Sequence, residues 1–181
     1  MPMAVVASTL QFFLAATFFV IPVIAYRYGD GAQQAAEAEM IRQGSSAAVL
    51  AAHRIRFAES GRETILPFGI GVALAVLGSL TLAGIEAGRI ASWILELIVL
   101  VVVGFITAGQ IFAARYTEAA FRKSSDVAVR ALDGRAVVEA AAREFPAALR
   151  PLGIIRFALA TLGSILVIVL LTTPAAGAYF G

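Results

Sequence analysis

Charged residues along this chain fall in blocks, and four long apolar runs separate the blocks. Residues 1–26, 64–85, 97–114 and 157–181 contain no Asp, Glu, Lys or Arg. At about 1.5 Å of rise per residue, each run belongs to a stretch able to cross the roughly 30 Å hydrocarbon layer of a membrane. The pattern predicts four transmembrane helices, at about 4–26, 65–85, 90–114 and 153–173. Helices are required, because an open strand edge leaves its backbone unsatisfied in lipid. Helices buried in a soluble bundle would still carry a polar stripe, and stretches such as LIVLVVVGFI have none. The first run is not a secretory signal. No basic residue precedes it, it is too long, and no A-x-A site comes before Arg27. It reads as an uncleaved anchor.

Between the apolar runs the polar pattern is helical too. Residues 32–43 and 117–132 are expected to continue the preceding helices. Breaks follow at Gly44-Ser45-Ser46 and at Asp133-Gly134, and further helices are expected at 47–60 and 135–146. Pro67, Pro146 and Pro151 suit helix starts at the return to the membrane.

The pattern also repeats. LPFGIGVALAVLGSL from Leu66 matches RPLGIIRFALATLGSI from Arg150, AYRYG at 25–29 matches AARYT at 113–117, and AVLAAHRIRF at 48–57 matches AVVEAAAREF at 136–145. The order is the same in both halves, at offsets of 84 to 88 residues. This predicts a tandem duplication of a two-helix unit, 1–88 and 89–181, with helical loops at 27–64 and 115–152. Two spans per unit keep the halves parallel, related by an axis along the membrane normal. The fold class is therefore an all-α integral membrane protein. In the second and fourth helices, Gly71, Ala75 and Ser79 form one ridge of small residues and Ala160 and Ser164 form another. They predict close packing of those two helices near the axis.

Composition narrows the chemistry. Hydrophobic residues are 60% of the 181 and charged residues 14%, which excludes both a soluble domain and a disordered chain. With no cysteine there is no disulfide, iron–sulfur cluster or thiol nucleophile. His53 is the only histidine, so no multi-histidine metal site exists. It is cytoplasmic and reads as solvated or facing headgroups. A net charge of +2 does not point to nucleic acid. No phosphate loop, H-E-x-x-H or G-x-S-x-G motif is present. Sidedness follows from the basic residues. Segment 27–63 holds five Arg and segment 115–150 holds seven Arg or Lys, whereas the hairpin between the second and third helices has only Arg89. The long loops are expected in the cytoplasm, with both termini outside. Arg and Ala richness suggests a GC-rich bacterial genome, hence the bacterial inner membrane.

Ionisable residues inside the membrane are candidate functional sites. Glu96 lies two turns inside the outer end of the third helix. Arg89, seven residues earlier on the same face, is expected to reach towards it. At an offset of 88 the counterpart of Glu96 is Ser8, so the charge belongs to one half only. Arg156 lies one turn inside the inner end of the fourth helix, where snorkelling to the cytoplasmic interface accounts for it, too far from Glu96 to pair. Gln11, Thr17, Thr107 and Gln110 are the other polar membrane positions; they line a polar path or bond between helices at about 0.6 kcal/mol each.

The outward N-terminus, the long basic cytoplasmic loop and a second helix opening Pro67-Phe68-Gly69 resemble the four-helix membrane domains of the copper-resistance D-like group. That group includes the haem-dependent protoporphyrinogen oxidase membrane family. The resemblance implies a four-helix bundle. Its members typically place a haem- or metal-binding histidine in the first helix, and 1–26 contains none. Met1, Met3 and Met40 form no copper track. No cofactor is expected. Three functions are compatible with these features: a non-enzymatic transporter or channel component working as an oligomer, an accessory or scaffold subunit of a larger membrane complex, or a degenerate haem- or quinone-linked enzyme. The lipid bilayer is the one partner common to all three.

Overall fold

A computed structural model describes residues 2–180, and every regular element among them is helical. Four helices are long and apolar enough to cross a membrane: Pro2–Arg42, Ile65–Leu82, Glu86–Ile111 and Leu149–Thr172. This is the make-up of a multi-pass membrane protein. The first is one element, α1 (Pro2–Arg42), which runs through Pro22 without a break. The second is α3 (Ile65–Leu82). The third comprises α4 (Glu86–Ile98), a π-helical turn at Val99–Val103, and α5 (Gly104–Ile111). The fourth comprises α9 (Leu149–Ala158), a second π turn at Leu159–Gly163, and α10 (Ser164–Thr172). The two π turns pack on each other. Neither π turn is expected from the hydropathy pattern, nor is the short α11 (Pro174–Phe180) that follows the last span.

The chain divides into two compact units. One takes Met1–Ile21, Ile65–Ala108 and Arg150–Gly181; the other takes Pro22–Thr64 and Gly109–Leu149. Each draws on both of the expected repeats, so the division follows polarity and not the boundary near residue 88.

In the apolar unit the buried core includes Leu14, Ala15, Phe18, Leu74, Val99, Val103 and Ala160, one layer contributed by all four spans. A second layer of Ala4, Ala7, Val167, Leu171, Ala176 and Phe180 joins the first span to the fourth and to α11. The small-residue ridges do not meet as expected. Gly71 lies under Phe18 and Phe19 of α1, and Gly78 under Phe12 and Gln11. Ser79 is exposed and donates to the Ala75 carbonyl at 2.8 Å. α3 packs on α4, and α10 packs on α4. The flat ridge of α3 therefore receives the phenylalanines of α1, and α1 reaches the third span through Gln11. Large apolar side chains such as Phe105 (78% exposed) and Leu162 (71%) point away from it, as lipid-facing positions do.

The charged unit has its own core: Ala32, Ala36 and Met40 of α1, Leu50 of α2 (Ala48–Ala52), Phe121 of α6 (Ala113–Arg122), Val129 of α7 (Val127–Arg130), and Val137 and Ala141 of α8 (Gly134–Glu144). The spacing of four in α1 and α8 puts one apolar stripe of each helix inward. Two expected helices are shorter here. The one at 47–60 ends at Ala52, because Arg54 takes a left-handed conformation with φ 56°. Its N–H bonds Ala51 O and that of Ile55 bonds Leu50 O, a helix-terminating motif that usually carries glycine. The helix expected over 117–132 stops at Arg122, and Asp126 caps a new turn by accepting from the Ala128 N–H at 2.8 Å. His53 is not solvated as expected. It is half-buried with its ring edge-on to Phe121 at 5.6 Å.

Candidate functional site

Polar side chains are expensive inside an apolar bundle, and here they cluster. On α4, Gly88, Ser92 and Glu96 are the buried positions, a spacing of four that puts them on one helix face. Glu96 is 1% exposed. Facing it from α1, Gln11 donates through Nε2 to Glu96 Oε1 at 3.1 Å and to Ser92 Oγ at 3.0 Å. From α3, Thr81 Oγ1 lies 3.3 Å from Ser92 Oγ. From α10, Ser164 faces the Glu96 carboxyl. Every membrane span thus gives at least one buried polar side chain to this cluster, and Ser8 lies buried one turn before Gln11.

The cluster is under-satisfied. Among the described residues, Glu96 Oε2, Gln11 Oε1, Ser164 Oγ and Ser8 Oγ are buried without a hydrogen bond of ordinary geometry. No Lys, Arg or His among them forms a salt bridge with Glu96. Buried polar groups are nearly always satisfied, so several orphaned oxygens at one place make this cluster the candidate site. The polar set is one carboxyl, one amide and four hydroxyls. No group of three or more His, Cys, Asp or Glu among the described residues suits a polyvalent metal.

The remaining candidates lie elsewhere. Arg89 does not reach towards Glu96. It pairs with Glu86 at 2.7 Å, and its guanidinium lies over the rings of Trp93 at 5.2 Å and Phe180 at 5.5 Å. An adjacent carboxylate and two aromatic faces hold it at the helix end more cheaply than an excursion into the core. Arg156 is buried within the bundle. It is 6% exposed, with its guanidinium 5.9 Å from the Phe18 ring. Gln110 is exposed. Thr107 is fully buried with its hydroxyl orphaned, and Thr17 bonds its own helix at the Leu14 carbonyl, 2.6 Å away. Gln11 and Glu96 are thus the two candidates that the fold brings together. Ser92 and Thr81 were missed. The usable signal was the i, i+4 spacing of Ser92 and Glu96 on one face.

No protein-family model, curated protein or solved structure matches the chain.

Proposed function

We propose that this chain is a small transporter or channel component of the bacterial cytoplasmic membrane, with the four-helix layout of copper-resistance D-like domains but without their first-helix histidine. Its working group is the Glu96 carboxyl, and the coupled or transported species is a proton. One observation carries this reading: a buried carboxyl without a cation, ringed by polar side chains from the other three spans and with one oxygen left open. An intramembrane ionisable residue of this kind is costly and is kept where it handles charge. The packed setting and single carboxyl suit the smallest cation better than a hydrated metal ion. The site is complete within one chain, so Glu96 does not need a second copy to be enclosed.

A parallel duplication supports the same architecture. Ala4 and Ser92, Ser8 and Glu96, Gln11 and Val99, and Ala15 and Val103 are pairs 88 apart in which both members are buried. Gly71 and Arg156, and Gly78 and Gly163, do the same at 85. In this reading Glu96 is the specialised member of a pair whose partner stayed serine.

The test is proton flux into liposomes holding the purified protein and a pH-sensitive dye. Wild type carries flux under an imposed potential. Glu96→Gln abolishes it while helicity and thermal unfolding stay close to wild type. Flux unchanged in Glu96→Gln defeats the proposal. Wild-type liposomes that carry none favour the accessory-subunit reading, in which Gln11 and Glu96 only clamp two helices.

A further inference from the structure

The polar contacts of the buried cluster run in one direction along the bundle and meet an apolar layer in the other. From Glu96 the polar contacts step through Gln11 to Ser92, one turn back along α4, and from Ser92 to Thr81. Thr81 is the next-to-last residue of α3, so the steps end at the hairpin that joins α3 to α4. On the other side of Glu96 comes the apolar layer of Leu14, Phe18, Leu74, Val99, Val103 and Ala160. We propose that Glu96 exchanges its proton with the hairpin end of the bundle, on the side of Ser92 and Thr81, with the Gln11 amide as a fixed donor that holds both groups in place, and that α11 covers this end. The inference rests on the reading of Glu96 as a proton site and adds its direction of access.

The geometry at the mouth supports the second part. Tyr179 of α11 donates its hydroxyl to the Leu82 carbonyl, the last of α3, at 2.6 Å. The Arg89 guanidinium lies by the rings of both Trp93 and Phe180. Thr81 and Ser92 are fully buried beneath this end. Opening would release the Tyr179 hydrogen bond, the contact of Phe180 with Arg89 and the buried Ala176 and Phe180 side chains, without a rearrangement of the four spans. The charged groups near the route are few. Residues 2–21 of α1 and all of α3 contain no titratable side chain. Glu86 and Arg89 sit paired at the mouth with Tyr179, and Arg156 lies eight residues beyond Ser164, about 12 Å further along the axis.

An apolar carbodiimide such as dicyclohexylcarbodiimide permeates the membrane and modifies only protonated carboxyls. Its rate at Glu96, read by peptide mass spectrometry, therefore reports the pH that the carboxyl senses. The full chain is reconstituted in vesicles whose two sides are buffered independently. Ala83→Cys and Ser46→Cys variants of the cysteine-free chain identify which side carries the hairpin. Lowering the pH on the hairpin side alone is expected to raise the rate severalfold, and lowering it on the other side to leave it unchanged. Ser92→Ala slows the response severalfold and Tyr179→Phe quickens it. A rate that follows the pH of the opposite side, of both sides or of neither overturns the proposal. An unlabelled Glu96 does the same. If labelling follows the hairpin side but Glu96→Gln conducts like wild type, the transport reading fails and the access route stands.

Discussion

At Gly71 a β-carbon would lie 3.0 Å from Phe19 Cζ and 3.1 Å from Phe18 Cβ, whereas at Gly69, two residues away on the same helix, nothing lies within 4 Å. The two positions separate packing from propensity. Gly71→Ala must displace a phenylalanine in a filled core and should destabilise the protein by about 1–3 kcal/mol. Gly69→Ala adds a methyl group to open space and should stabilise it by about 0.5–1 kcal/mol, the usual cost of glycine in a helix. Thermal unfolding in one detergent, read by circular dichroism, ranks the three proteins. Equal midpoints for the two variants would mean that α1 does not sit in the α3 groove. Arg54 offers the opposite kind of test. Its φ of 56° places a long side chain where glycine is at ease, so Arg54→Gly should raise stability by about 0.5–1 kcal/mol. A loss of stability would show that the Arg54 side chain contributes more than its backbone strain costs.

Among the elements, the end of α1 gives stability its pH dependence. Hydrogen bonds from Arg42 and Gln43 hold the Glu39 carboxyl below its ordinary value of 4.5. Gln43 also clasps the Asp133 backbone, accepting from its N–H at 2.8 Å and donating to its carbonyl at 3.3 Å. A carboxylate with a depressed folded-state pKa adds stability above its unfolded value, and that part is lost as pH falls through the folded one. The Ser60 N–H and Arg56 lower Glu63 in the same way. Unfolding midpoints measured from pH 7 down to about 3 should therefore fall in wild type once the pH drops below about 4.5, and fall less in Glu39→Gln. The apolar elements were legible because uncharged length alone marks a span, and the structure begins each of them within a few residues of where the sequence does, although the helix of the first runs on to Arg42. The loop helices were not. Their ends depend on an arginine in a left-handed turn and on the Asp126 cap, choices made by local geometry within an evenly polar pattern. The site was half legible. Glu96 is conspicuous by charge and Gln11 by amide, but Ser92 and Thr81 are ordinary in composition and acquire meaning only from the contact of α1 with α4 through Gln11.

For the whole molecule, the distribution of charge governs how the chain lies in a bilayer. Twelve of the fourteen basic residues lie in 27–63 and 115–150, and the α3–α4 hairpin has only Arg89, whose charge Glu86 offsets across 2.7 Å. Basic segments resist transfer across the membrane and neutral hairpins do not, so the long segments should stay in the cytoplasm and the hairpin should emerge. An even number of spans then puts both chain ends with the hairpin. The absence of native cysteine makes this directly measurable. With a membrane-impermeant maleimide on intact cells, exposed Ala83→Cys should label at once. Exposed Ser46→Cys should label only after permeabilisation. The reverse pattern would put the dense arginines outside and would move the mouth above Thr81 to the cytoplasmic side, so that the proton at Glu96 would answer to internal pH. Labelling of both positions in intact cells would mean that fewer than four spans cross, and the polar cluster could not then lie in a closed bundle.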